Sequence, residues 1–239
     1  MCCFRNFRKR RRALNKNYKT LFFDLDDTLF DYTGDEKRSI TKVFSEFEIP
    51  MADDIFDLYY SINDWQLFTM GNITSKTIIT DHFSRMLKML EIKGEKAEKM
   101  VDSFYDAMLS SHRMKNGALK LLQYLKEKGY KLYITSNGYA EIQKKRIRDS
   151  KINKYFDGIY ISEEINLRKP GKAFFNYVFN RIPESNLKNI LMIGDAPTSD
   201  ILGGINAGID TCWLNDKNKN CKYKYTYTVK NLKELMNIL

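Results

Sequence analysis

Histidine, proline and cysteine are scarce in this chain. Two histidines in 239 residues, His82 and His112, are too few for a multi-histidine zinc site and give no support to a Ser-His-Asp triad. Four prolines and twelve glycines exclude collagen-like or proline-rich filaments. The four cysteines, Cys2, Cys3, Cys212 and Cys221, form no C-x-x-C pair, which points to reduced thiols in a cytoplasmic protein. No apolar run approaches the roughly 18 residues of a membrane span, so a soluble protein with no transmembrane segment is expected. Internal repeats and Pro/Ser-rich linkers are missing too. What is present suffices to fold: 43% hydrophobic and 13% aromatic residues exclude whole-chain disorder. The length suits one large domain, or one domain carrying an insertion.

The net charge of +10 raises the question of nucleic-acid binding, so its location matters. Residues 1–19 hold eight basic side chains (Arg5, Arg8, Lys9, Arg10, Arg11, Arg12, Lys16, Lys19) and no acid. Of the 40 basic residues, 32 then remain against 30 acids, a body near +2. The basicity belongs to a tail, expected to be disordered and solvated. It lacks the apolar segment of a secretory signal; an organellar targeting peptide, an RNA- or membrane-attracted arm, and acylation at Cys2 or Cys3 stay open.

After the tail, Lys19-Thr-Leu-Phe-Phe-Asp24 has the form of a buried strand feeding a loop. From Gly34 to His112 the pattern is helical. Ile40, Val43, Phe44 and Phe47 share one helical face, as do Ile79, Phe83, Met86, Leu87 and Leu90, and Ala97, Val101, Phe104, Tyr105 and Met108. Ser75 is placed to cap the second of these helices. From Gly117 helices and strands alternate. Strands are expected at Lys131–Thr135, Gly158–Ile161, Ile190–Ile193, Thr211–Leu214 and near Tyr225–Val229. The helices between them are Ala118–Lys128, Tyr139–Asp149, Lys172–Ile182 and Ser199–Ala207, with one more at the end. The spacing predicts an α/β fold: a Rossmann-like, doubly wound parallel sheet with an inserted all-helical domain. The expected divisions are a tail at 1–19, an α/β core at 20–33 and 113–239, and a helical insert at 34–112.

Open parallel sheets carry their sites at the carboxyl ends of strands. Four stretches at or near such ends hold unusual polar residues: Asp24-Leu-Asp26-Asp-Thr28, Thr135-Ser136-Asn137-Gly138, Arg168-Lys169-Pro170-Gly171, and Gly194-Asp195-Ala-Pro-Thr-Ser-Asp200. If Asp24, Asp26 and Asp195 converge, each pair about 4 Å apart repels by roughly 4 kcal/mol at an effective dielectric near 20. A divalent cation together with Lys169 would offset that, and an oxygen-only ligand set favours Mg²⁺. Ser136, Asn137 and the amides opening the next helix form an anion seat. Each stretch alone is commonplace in turns and helix starts. Four of them in order are not.

In these motifs the chain resembles the haloacid dehalogenase (HAD) superfamily of aspartate-nucleophile hydrolases, from about Thr20 to the C-terminus. The helical insert is similar to the C1-type cap of its subfamily I. Ile161–Pro170 and Asp200–Asn215 are similar to the bacterial pyrimidine 5′-nucleotidases proposed to clear non-standard nucleotides. The resemblance implies a Mg²⁺-dependent phosphatase acting on a small phosphomonoester, foremost a nucleoside 5′-monophosphate. Asp24 would be the nucleophile and Asp26 the general acid and base. The carboxylates of Asp24 and Asp195, with the backbone carbonyl of Asp26, would hold Mg²⁺. Ser136, Asn137 and Lys169 would bind the phosphoryl group, Thr28 would brace the loop, and Asp200 would orient the ligands or Lys169. Two departures from the family pattern, Asn116-Gly117 and Pro197, remove no catalytic side chain.

Aromatics at Tyr59, Tyr60, Trp65 and Phe68, near Asn63, could stack on a base, but their helical spacing favours packing of the insert's own core, so they are left out of the expected site. A dehalogenase is disfavoured by Asp26. A sugar-phosphate or phosphoglycolate phosphatase, or a phosphomutase, remains an alternative on the same fold. A nucleic-acid-binding protein using the basic arm is the alternative of a different class. Nucleic acid is not expected to be obligatory, and either a monomer or a homodimer is compatible with the sequence.

Overall fold

The computed structural model of the protein describes residues 17–62 and 75–239. Its contacts divide the chain into two compact units. One joins the chain up to Asp31 with Met114–Gly138 and Ser150–Leu239; the other joins Tyr32–Arg113 with Tyr139–Asp149.

The first unit is built on six parallel strands: β1 (Thr20–Phe23), β2 (Lys131–Ser136), β3 (Gly158–Ile161), β4 (Ile190–Gly194), β5 (Asp210–Leu214) and β6 (Tyr227–Val229). Their spatial order is β3-β2-β1-β4-β5-β6, so the winding reverses beside β1, where open α/β sheets form their crevice. Phe23 is level with Ile134 on one side and Ile193 on the other. The ends of β1, β2 and β4 therefore lie next to one another, and these are three of the polar stretches marked in the sequence. Every residue of β1 is buried although successive side chains point to opposite faces, so the sheet is covered on both. On one face Phe22, Tyr133, Ile190 and Met192 pack against Phe174, Phe175 and Val178.

Helices alternate with these strands as the spacing predicts, among them α5 (Ala118–Glu127) before β2 and α7 (Ser162–Ile165) after β3, with local differences. The helix expected over Lys172–Ile182 ends at Phe179, and the expected last helix is a 3₁₀ turn over Leu232–Asn237. Gly208 closes its helix at φ 75°, where a side chain would be strained. Tyr18 and Lys19, counted with the tail in the sequence, are part of this unit. The Tyr18 hydroxyl donates to Asp210 (2.7 Å), and Lys19 exchanges backbone hydrogen bonds with Asn189 and Lys131. Cys212 and Cys221 are free thiols.

The second unit is helical: α1 (Tyr32–Glu46), α2 (Ile55–Ser61), α3 (Ser75–Met89) and α4 (Glu95–Ser110), which follow β1 in the chain. The apolar stripes meet as the periodicity requires. Ile40, Val43, Phe44, Phe83, Met86, Leu87, Phe104 and Met108 are buried together, and the Phe83 and Phe104 rings stack 4.3 Å apart. The side chain of Ile79 lies outside the described set. A further helix, α6 (Ala140–Asp149), lies between β2 and β3 in the chain, yet it groups with this unit rather than with the sheet. Ile142 is part of the helical core, and the fully buried Arg146 pairs with Asp35 of α1 (3.4 Å). An apolar stripe identifies a buried face but not the partner that covers it, which is why the sequence grouped α6 with the core. Among the described residues no helix is long and apolar enough to cross a membrane.

Candidate active site

The loop after β1 turns sharply. Asp27 adopts a left-handed conformation (φ 56°), and the amides of Thr28, Leu29 and Phe30 all donate to the carbonyl of Leu25 at 2.8–3.2 Å. This turn brings Thr28 back beside Asp24. The Thr28 hydroxyl is buried, accepts from the Asp195 amide (3.1 Å), and lies 3.2 Å from Asp24 Oδ2 and 3.4 Å from Asp195 Oδ1. It ties its own loop to the end of β4.

Lys169, on the loop before helix α8 (Lys172–Phe179), is 2% exposed. Its ammonium donates to Asp24 Oδ1 (2.9 Å) and Asp200 Oδ1 (2.6 Å). Asp200 is committed to this task. Its Oδ1 also accepts from the Ser199 hydroxyl (3.3 Å) and its Oδ2 from the Ala196 amide (3.0 Å). It lies in a single π-helical turn, Pro197–Ile201, ahead of α9 (Leu202–Ala207). Asp24, Asp195 and Asp200 each offer an oxygen within 4.8 Å of the others.

Other marked residues stand around this group. Ser136 is buried, and its hydroxyl accepts from the Gly138 amide (3.0 Å). Asn137, expected on the phosphate, is occupied differently. Its Nδ2 donates to the Lys169 carbonyl (2.8 Å) and its Oδ1 accepts from the Lys169 amide (2.9 Å). It clasps the lysine's backbone. The Asp26 side chain is half-buried and stays outside the three-carboxylate cluster, though its charge acts on Asp24. Tyr59, weighed as a base-stacking residue, is buried in the helical unit and donates to Glu36 (3.2 Å). Tyr60 is exposed and donates to the same carboxylate (3.2 Å). Asn63, Trp65 and Phe68 lie outside the described residues.

Two supports have no signal of their own in the sequence. The Trp213 indole donates to the Asp195 carbonyl (2.9 Å), fixing the residue that follows β4. Gly194 leaves room for Asp200: a Cβ there would stand 2.1 Å from Asp200 Oδ2. Gly194→Ala is therefore expected to displace Asp200 and Lys169, lowering stability by about 1–3 kcal/mol and activity with it. Unchanged thermal unfolding and turnover would contradict the packing described here.

The electrostatics are unbalanced. Burial pushes Asp24 up to about 7; Lys169 opposes the rise, while the charges of Asp200 and Asp26 add to it. Burial, then the charges of Asp24 and Asp200, push Asp195 up to about 8. Burial alone would lower Lys169, but Asp200 and Asp24 outweigh it, and its ammonium is held well above the ordinary range. One cation thus faces three carboxylates, and each ionised pair at this separation repels by about 3–4 kcal/mol at an effective dielectric near 20. The donors are all oxygen, with no thiolate or imidazole among them. Such a set fits a hard divalent cation such as Mg²⁺.

A pH dependence follows. Both aspartates bind protons more tightly folded than unfolded, so their contribution to stability is full below about pH 4 and is lost as pH rises to about 8. A cation competes with those protons. The gain in unfolding temperature from Mg²⁺ over chelator should therefore be larger at about pH 8 than at about pH 6. An equal gain at both would count against a cation among these carboxylates.

Comparison with known proteins agrees with this geometry. Residues 21–214 match the family model for haloacid dehalogenase-like hydrolases. The chain is 37% identical to YfnB of Bacillus subtilis, a HAD-hydrolase by name, over 94% of this chain and 96% of that protein. A crystal structure of YfnB bound to magnesium matches with a TM-score of 0.81, 36% identity, and coverage of 94% of this chain and 99% of that one. The pyrimidine 5′-nucleotidase YjjG of Escherichia coli is 32% identical over 92% of this chain and 96% of its own length. For the pyrimidine 5′-nucleotidase PynA of Streptococcus pneumoniae the figures are 32%, 93% and 95%. With its parallel sheet, its carboxylate cluster at the strand ends and a family match over most of its length, the chain belongs to the haloacid dehalogenase-like hydrolases.

Proposed function

We propose that this hydrolase is a Mg²⁺-dependent phosphatase that cleaves a small phosphate monoester, foremost a nucleoside 5′-monophosphate, through an aspartyl-phosphate on Asp24. The observation that carries this reading is the buried Asp24 carboxylate at the end of β1, held against the Lys169 ammonium and beside Asp195 and Asp200. An Asp24 oxygen attacks phosphorus in line, and the bond to the ester oxygen breaks as Asp26 protonates the leaving alcohol. Asp26 then takes a proton from the water that attacks the aspartyl-phosphate, releasing phosphate and restoring Asp24. Lys169 and the Ser136 hydroxyl neutralise phosphoryl oxygens, while Asn137 and Asp200 keep the lysine in place. Asp24 and Asp195, with the Asp26 carbonyl, would hold Mg²⁺, which when bound would supply positive charge to offset both the carboxylates and the phosphoryl group. The helical unit would act as the cap that excludes water and selects substrate.

The pyrimidine preference is supported by similarity to YjjG and PynA along nearly their whole lengths. The free thiols of Cys212 and Cys221 fit a cytoplasmic enzyme. The test is a phosphate-release screen across nucleoside 5′-monophosphates, sugar phosphates and phosphoglycolate, with Mg²⁺ or chelator. It would compare the full chain with one lacking residues 1–19. Release from a pyrimidine nucleotide only with Mg²⁺, indifferent to the tail, is expected. Isomerised sugar phosphate without release would replace this reading by a phosphomutase. No turnover on any substrate, combined with tail-dependent RNA binding, would replace it by a nucleic-acid-binding role.

A further inference from the structure

The helical unit contains a cavity of about 480 Å³ between α1 and the end of α4, and none of the chemistry above uses it. Its wall is cationic. Arg38, Lys42 and Arg113 line it, with His112 beside them, against one carboxylate, Asp35. That carboxylate is already neutralised from two sides: Arg38 pairs with it at 2.6 Å and the buried Arg146 at 3.4 Å. Among the described residues Lys42 pairs only with the exposed Glu46, at 3.4 Å, a pairing worth little in water. Arg113 is exposed and has no ion-pair partner among the described residues.

Basic side chains after a helix often just answer the partial negative charge of its last carbonyls. Here three of the last four carbonyls have other partners. The Ser111 hydroxyl donates to Ala107 O (2.8 Å), the Ser111 amide to Met108 O (3.2 Å), and His112 Nδ1 to Ser110 O (3.0 Å). The wall also holds a second, independent feature. Ser39 is 2% exposed and lines the cavity, and its hydroxyl has no hydrogen-bond partner among the described residues. That hydroxyl is open to the cavity, with no acceptor among the described residues, so it is free to donate to an anion bound there.

We propose that this cavity binds a phosphate-class oxyanion, received by Lys42, Arg113 and the Ser39 hydroxyl, at a site separate from the carboxylate cluster. The site is independent of the phosphatase reading and stands or falls on its own. The ligand could be free inorganic phosphate or the phosphate of a nucleotide, which share this chemistry.

The test is calorimetric titration of the full chain, in chelator, with inorganic phosphate, pyrophosphate and a nucleoside 5′-monophosphate as separate probes. Without a divalent cation the carboxylate cluster repels anions, so binding reports on the cavity. Saturable binding of at least one probe is expected, with Kd raised tenfold or more in a Lys42→Gln/Arg113→Gln variant. Ser39→Ala should weaken it severalfold. Both substituted cations are exposed, so the variant keeps the fold. A control in Lys93→Gln/Lys96→Gln, two exposed lysines elsewhere in the helical unit, should bind like the parent. Tightest binding of inorganic phosphate identifies the free ion as ligand, and tightest binding of the monophosphate identifies the nucleotide. No saturable binding, or affinity unchanged in the Lys42/Arg113 variant, overturns the proposal.

Discussion

Asn in place of Asp24 is expected to lower phosphatase turnover by roughly four orders of magnitude or more, while the protein stays folded. The substitution keeps size and shape but removes the oxygen proposed as nucleophile, and an amide cannot form the proposed aspartyl-phosphate. Phosphate monoesters are among the slowest of biological compounds to hydrolyse, so binding and charge alone do not restore the rate. The same change removes one of three crowded carboxylates. Since Asp24 is pushed up to about 7, its charge opposes folding above that pH in the absence of a cation. The metal-free variant should therefore unfold at a temperature no lower than the parent at about pH 8, and gain less from Mg²⁺. Lost activity without lost stability separates a chemical role from a structural one. Near-normal Mg²⁺-dependent turnover would refute the assignment.

Met in place of Lys169 is expected to have the opposite stability signature. The ammonium is buried and donates to both Asp24 and Asp200. Removing it leaves two carboxylates without their cation, and breaking a buried pair from one side costs about 3–5 kcal/mol. The loss should be greatest near pH 8 and shrink in acid as Asp24, pushed up to about 7, takes up a proton. Adding Asp200→Asn should recover part of it, because Asp200 then no longer needs a partner; a double-mutant cycle isolates the coupling. Recovery of stability should not restore turnover, since the cation proposed to bind the phosphoryl group is still missing. Loss of such a donor lowers rate by about 10²–10³-fold. Equal stability of Lys169→Met and the parent across pH would show that the lysine is not buried among charges as described.

Much of this site was legible from residue order because the chemistry sits at strand ends. An apolar run closing on Asp24, and another closing on Gly194-Asp195, predict strands whose ends carry acids, and parallel winding then places them side by side. Side-chain contacts within the loops were less legible. Asn137 has the composition of a phosphate ligand, but both ends of its amide are taken by the Lys169 backbone, a pairing across 32 residues that no local pattern encodes. Asp200 joins the carboxylate cluster through a π turn that the helical periodicity of Ser199–Ala207 does not reveal. Gly194 looks like any turn glycine until the Asp200 side chain is set where its Cβ would be. The buried partners of α6 were hidden for a related reason. Arg146 is a surface residue by type, and the Asp35 carboxylate, with the Gln143 side chain and the Tyr32 ring, makes its burial tolerable.

The most direct test of the mechanism is to trap the enzyme during turnover. The full chain would be mixed with Mg²⁺ and a pyrimidine nucleoside 5′-monophosphate, quenched in acid, digested, and mapped by mass spectrometry. A phosphoryl group on the peptide containing Asp24, absent without Mg²⁺ and absent in Asp24→Asn, is the expected result. Rapid phosphate release with no phosphorylated Asp24 at any quench time, or a phosphoryl group on another residue, would contradict it.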